Sequence, residues 1–143
     1  MIRRKGSGRQ PAPVIKLFLT ADRSDDGLHG HRVRERPRGV RRRAGRFVYN
    51  PIGSVHGGWY ATILDSALGC AIHTALPAGK IYTTVDLNIT FLRALTEQSG
   101  SVRCEGKIIH FGGSIATAEG RITGKDGTLY ATGTTTCLVM TPR

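Results

Sequence analysis

The sequence predicts an α+β domain in which one long central helix is wrapped by an antiparallel β-sheet. Three observations carry this. Between residues 56 and 75 apolar side chains recur at three- and four-residue spacings, the signature of a helix with one buried face. From Lys80 onward, apolar and polar residues alternate in four separate runs, the period of strands. No second helical stretch follows, so the sheet must close over the one helix it has.

The chain has 143 residues, one domain's worth, and its charge is unevenly spread. Residues 1–46 hold 14 of the 21 Lys and Arg and 4 of the 10 Asp and Glu, a net of +10, so the pI of 10.5 belongs to the N-terminal third. This segment mixes Arg, Gly, Pro and short acidic groups, and neither helical nor strand periodicity persists in it. We read 1–46 as an atypical, irregular basic segment and 47–143 as the folded domain. The guanidinium clusters of "HGHRVRERPRGVRRRAGR" suit polyanions, but no aromatic residues interleave them for stacking, so no specific nucleic-acid site is expected. "PVIKLFLT" is short and interrupted by Lys16, which makes it neither a signal core nor a membrane span. A cytoplasmic location without membrane attachment is the expectation. Cys70, Cys104 and Cys137, an odd count in apolar or alternating stretches, predict reduced, buried thiols, and no pair has metal-ligand spacing.

From Phe47 the texture changes. Pro51 and Gly53 mark a turn, after which Trp59, Ile63, Leu64, Ala67, Leu68, Ala71, Ile72 and Ala75 form the apolar face, with Thr62, Ser66 and His73 opposite. Pro77 and Gly79 stop the helix, a rod of roughly 30 Å. In "KIYTTVDLNITFLRAL" the odd positions Ile81, Val85, Leu87, Ile89 and Phe91 are apolar, with Asp86, Asn88 and Thr90 between them. "SVRCEGKIIHF", "SIATAEGRIT" and "LYATGTTTCLVM" continue the sheet. Asp126-Gly127 predicts a type I′ hairpin between the last two.

Chemistry concentrates in "NPIGSVHGGWYATILDSALG", residues 50–69. At 100° per residue, Asp65 shares a boundary stripe with Gly58, Ala61 and Gly69, almost bare of side chains. Asp65 is thus either a carboxylate projecting into a ligand cleft or a solvated boundary residue beside small neighbours. Gly57 and Gly58 fall in the first turn, whose N–H groups lack internal partners and carry the positive end of the helix dipole, so they suit a developing oxyanion. The alternative is a simple turn. His56, just ahead, is either a base or, as we favour, a turn anchor.

The combination Asn50-Pro51-Ile52-Gly53, Val55-His56-Gly57-Gly58, Asp65 and "TVDLNITFLRAL" resembles the hotdog-fold acyl-CoA thioesterases of the PaaI type, over about Tyr49 to Met140. The resemblance implies a hotdog fold and hydrolysis of an acyl-CoA to free acid and coenzyme A. It makes Asp65 the general base or nucleophile, Gly58 the backbone donor that polarises the thioester carbonyl, and Asn50 a residue positioning water or thioester. Thr84 becomes a hydroxyl reaching across a dimer interface to the attacking water, or else an ordinary strand threonine. His56 and Gly57 would border the substrate. Homodimers, usually paired into homotetramers, are implied, with the active site between subunits and Asp65 and Thr84 from different chains. No metal or bound cofactor is implied, coenzyme A being part of the substrate.

Two departures stand out. Gly112 and Gly113 occupy the place near "HFGG" where many relatives carry an arginine for the coenzyme A phosphates, so Arg93 or the basic arm would substitute. Residues 19–45 lack the amphipathic first strand expected there, and we read them as a shifted reading frame or sequence error, which translating the other two frames tests. Against the thioesterase stands a non-catalytic hotdog module binding acyl-CoA or a polyanion, predicting salt-sensitive binding without thiol release.

Overall fold

A computed structural model describes residues 48–142 and the backbone of residues 14–20. The helix, α1, spans Gly57–Thr74. His56, in extended conformation (φ −64°, ψ 140°), caps its start, and Ala75, expected on the apolar face, instead ends it as the cap residue, with Pro77 beyond. Leu64, Leu68 and Ile72, spaced by four, are fully buried, each contributing roughly 1.5–3 kcal/mol. Thr62 and Ser66 face solvent and donate their hydroxyls back to Gly58 O and Thr62 O.

Among the described residues five strands form one antiparallel sheet: β1 (Val14–Thr20), β2 (Ile81–Phe91), β3 (Ser101–Phe111), β4 (Ile115–Gly124) and β5 (Leu129–Met140), in the order β1-β3-β4-β5-β2. The four strands expected from alternation are present, and α1 lies mainly on β3 and β4. β1 corrects the expectation of an irregular segment 1–46, because residues 14–20 pair along β3. "VIKLFLT" is nearly continuous in apolar and β-branched residues, which hides any alternation but suits a strand once an edge is offered. The rest of 1–46, including the proposed frame-shifted stretch beyond Thr20, lies outside the described residues.

A row of glycines sets the distance between the layers. Gly106, Gly120 and Gly133 are neighbours in register across β3, β4 and β5. A Cβ on Gly106 would stand 2.4 Å from the Ala67 carbonyl oxygen, and one on Gly133 3.2 Å from Leu64 Cδ1. The helix backbone therefore rests directly on the sheet. Cys104, Ala116, Ala118, Ile122, Ala131 and Cys137 complete the core beneath it. Cys104 and Cys137 are buried and Cys70 is half-buried, all as free thiols. Burial pushes the Cys104 thiol up to about 12, leaving it an inert apolar group.

β2 departs from simple alternation. Its register against β5 shifts between Thr84 and Asp86, leaving Val85 as a bulge. The inward residues are therefore Tyr82 and Thr84 before it, and Leu87 and Ile89 after it. Ile81 and Val85, expected with Leu87 and Ile89 on one face, are 45% and 58% exposed. Beside the bulge the buried Thr135 hydroxyl donates to the Asp86 carbonyl at 2.8 Å, an additional partner where the ladder is disrupted.

The β4–β5 connection also differs from the type I′ turn expected. Only Gly127 has positive φ (83°), and Asp126 does not. Gly127 N–H donates to Gly124 O and Gly124 N–H to Thr128 O, the pattern of a three-residue loop with a glycine bulge. Asp126 accepts from the Thr128 N–H and hydroxyl, and these bonds hold its carboxyl below the usual range. Gly127→Ala should lower stability by about 1–2 kcal/mol, read as a reduced urea midpoint with unchanged m-value.

Candidate active site

β2 runs antiparallel to α1 and lines one side of it. Phe91 covers Gly57, where a Cβ would meet the ring at 3.1 Å, Thr84 reaches Asp65, and Tyr82 lies on Gly69. The boundary stripe read from the sequence thus lies against the inward face of β2. Among the described residues β2 is an edge of the sheet, with β5 on one side and no described strand on the other.

Thr84 Oγ1 donates to Asp65 Oδ1 at 2.9 Å. The pairing depends on the Val85 bulge: without it, inward-facing Leu87 and Ile89 would fix odd residues inward throughout and turn Thr84 away from the helix. This corrects the expectation that Asp65 and Thr84 come from different chains, since one chain already joins them. Asp65 Oδ2 has no hydrogen-bond partner among the described residues and is open to water or substrate. Cys137 Sγ lies 3.8 Å from Thr84 Oγ1 and closes the base of the pair.

The helix start corrects a second expectation. Gly58 N–H, predicted to polarise a carbonyl, donates to His56 Nδ1 at 2.9 Å, so His56 is the turn anchor and that amide is occupied. Trp59 N–H donates to His56 O. Gly57 N–H has no acceptor among the described residues and is the first-turn amide left for an oxyanion. A sequence shows two adjacent glycines but not which amide the histidine ring takes.

The remaining candidates lie apart from Asp65. Asn50 is tied into its own turn, its Oδ1 accepting from Ser54 N–H at 3.3 Å and its Nδ2 donating to Ser54 Oγ at 3.2 Å. It lines a hollow of about 420 Å³ with Tyr49, Thr96 and Gln98. Arg93, just past β2 toward the helix start, donates to Leu129 O at 3.0 Å, and its own carbonyl accepts from Tyr60 OH. A trough of about 490 Å³ on the outer sheet face, lined by Asn88, Glu105, Lys107, Arg121 and Thr134 among others, does not include Asp65 either.

Tyr82 was missed by the sequence reading. Its hydroxyl would stand 2.8 Å from a Cβ on Gly69, and its ring meets His73 edge-on at 6.0 Å. Burial, then the proximity of Cys70, Cys137 and Asp65, raises its pKa, so it is a neutral phenol at physiological pH. The available signal was the absent side chain at Gly69 opposite a large one on the strand.

Residues 52–131 match the thioesterase superfamily, and this chain belongs to it. Within that superfamily it is similar to proteins of the phenylacetate-degradation type. A phenylacetic acid degradation-related protein of Ralstonia eutropha shares 30% identity with a TM-score of 0.59, over 64% of this chain and 67% of that one. A Bacillus halodurans protein crystallised with CoA shares 33% identity with a TM-score of 0.62, over 67% of this chain and 62% of that one. A Haemophilus influenzae thioesterase, at 18% identity, matches in fold over 95% of this chain and 76% of its own, with a TM-score of 0.68. An esterase-named protein of Halobacterium salinarum is 35% identical over 69 residues, so the match spans about half of each chain: 47% of this one and 44% of the relative. No helix among the described residues is long and apolar enough to cross a membrane.

Proposed function

We propose that this chain is an acyl-CoA thioesterase that works as a homodimer, with each active site built from two chains. The observation that carries the reading is the Thr84–Asp65 pair, with the second carboxylate oxygen unpartnered among the described residues, on a helix whose first amide is unspent. Superfamily membership and the Bacillus relative crystallised with CoA support the substrate class. Coenzyme A enters as part of the substrate, and no other cofactor is required.

Gly57 and Asp65 are eight residues apart on the helix, about 12 Å along the axis and about 80° around it. A carboxylate attacking directly must lie about 3 Å from the carbonyl carbon whose oxygen the amide holds, so one chain cannot supply both groups for that route. Two antiparallel helices related by a two-fold axis near Ala61 bring Gly57 of one chain opposite Asp65 of the other. The small Ala61 side chain permits the approach, and β2 is the edge along which the sheets would join. Gly57 N–H then polarises the carbonyl. Asp65, oriented by Thr84, either takes a proton from the attacking water or attacks itself and is released by water. Both routes end in carboxylic acid and coenzyme A thiol. Asn50, in the loop that feeds the helix start, accompanies Gly57, as does Arg93.

Mixing two inactive variants tests this. Gly57→Pro removes the amide and suits a first helical position, and His56 at ψ 140° has the conformation a residue before proline prefers. We expect Gly57→Pro and Asp65→Asn each to release almost no thiol from a mixed acyl-CoA panel. Co-refolding them should restore about a quarter of wild-type activity, because half the dimers are mixed and each has one intact site. No recovery in confirmed mixed dimers would reject the shared site, and saturable binding by the wild type without thiol release would make the protein a binding module.

A further inference from the structure

We infer that Phe91 is a positioning residue for the oxyanion amide: its ring lies against Gly57 and screens that N–H from water on one side. This rests on the acyl-CoA reading above and deepens it at the helix-start half of the site.

Phe91 ends the inward row of β2, but whereas Leu87 and Ile89 pack on the core, Phe91 is 54% exposed. A ring left in water to that extent gains little from burial. What it touches is the helix start. A Cβ on Gly57 would meet its Cζ at 3.1 Å and its Cε1 at 3.4 Å, so the ring rests on the Gly57 backbone. Cα–Cβ bonds of a helix tilt toward its N-terminus, the direction in which the first-turn N–H groups also point. Phe91 therefore stands at the end of the helix where the free Gly57 amide emerges.

The next residue has a ring of its own. A Cβ on Gly58 would stand 3.0 Å from His56 Nδ1, so two successive glycines, both poor helix formers, make room for an imidazole and a phenyl. The imidazole takes the Gly58 amide. The phenyl has no acceptor atom, so it leaves the Gly57 amide free while keeping water from one side of it.

Phe91 is itself held in place. Tyr60, 3% exposed, meets it edge-on at 5.4 Å. The Tyr60 hydroxyl accepts from Leu95 N–H at 2.7 Å and donates to Arg93 O at 3.0 Å, which ties the first helical turn to the chain leaving β2. A hydrogen bond to a developing oxyanion is stronger where water is excluded, because charge is screened less there. That charge appears only in the transition state, so the screen acts on kcat and hardly on KM.

Phe91→Val keeps a strand-forming side chain too short to reach Gly57. It should lower kcat about tenfold, short of the roughly hundredfold or greater loss of a whole oxyanion donor, with KM within about threefold of wild type. Phe91→Tyr, which keeps the ring, should retain the wild-type rate. Where the loss falls separates positioning from general damage. In mixed dimers of Gly57→Pro and Asp65→Asn chains, the working site takes its amide from the Asp65→Asn chain. Phe91→Val added to that chain should cut the recovered activity about tenfold, and added to the Gly57→Pro chain it should leave that activity as it was. Equal loss in both placements, no loss in either, or an equal loss in Phe91→Tyr would overturn the assignment while the shared site stands. If the wild type releases no thiol, or mixed dimers without a Phe91 substitution recover nothing, the reading above fails and the role of Phe91 falls with it.

Discussion

Asp65→Asn is expected to lower kcat for acyl-CoA hydrolysis by about 10²- to 10⁴-fold while leaving the fold intact. The replacement keeps size and an oxygen for the Thr84 hydroxyl, which donates to Oδ1 at 2.9 Å. What it removes is the negative charge and the free Oδ2, the groups that take a proton or attack. At 1.36 kcal/mol per tenfold change, the barrier rises by roughly 3–5 kcal/mol. Asp65 is only partly buried, so a thermal melt should hardly move. Steady-state thiol release together with the melt checks both halves. A rate within a few-fold of wild type would remove Asp65 from the chemistry, and a collapsed melt would make it a structural residue.

The largest effect on stability is expected at Gly106. Its added Cβ would stand 2.4 Å from Ala67 O and 2.8 Å from Ala67 C, and these are helix backbone atoms that cannot rotate aside. Gly106→Ala should cost about 1–3 kcal/mol, and Gly106→Val more, because α1 must lift from the sheet and lose contact along its whole buried face. Against a total stability of about 5–15 kcal/mol, the valine variant should be largely unfolded or poorly expressed at 37 °C. Gly113→Ala is the control, since a Cβ there meets nothing within 4 Å. Equal urea midpoints for Gly106→Val and Gly113→Ala would show that the close approach is unimportant.

The sequence carried the helix and four strands because burial writes periodicity into residues such as Leu64, Leu68 and Ile72, and Val102 and Cys104, whatever their tertiary partners. It carried Asp65 as a site candidate because a carboxylate in a stripe of small residues is chemically conspicuous. What it could not carry depends on register or on where one side chain turns. The row Gly106, Gly120 and Gly133 is three unrelated glycines until the strands pair. Val85 is one more alternating apolar residue until β5 leaves it without an opposite number. Gly58 and Gly57 are equivalent until the His56 imidazole takes one amide. β1 shows no alternation and declares itself only by pairing with β3.

The irregularity at Val85 means that β2 is written in two phases, and the site sits where they meet. Exchanging Val85 for another residue leaves both phases in place. Losing or gaining one residue between Thr84 and Leu87 would make their spacing even, so that plain alternation kept Tyr82, Thr84, Leu87 and Ile89 on one face and the bulge was no longer needed. At the present length it is the extra residue's failure to pair that keeps the site assembled: a strand that paired Val85 in regular register and kept Leu87 inward would turn Thr84 and Tyr82 toward solvent.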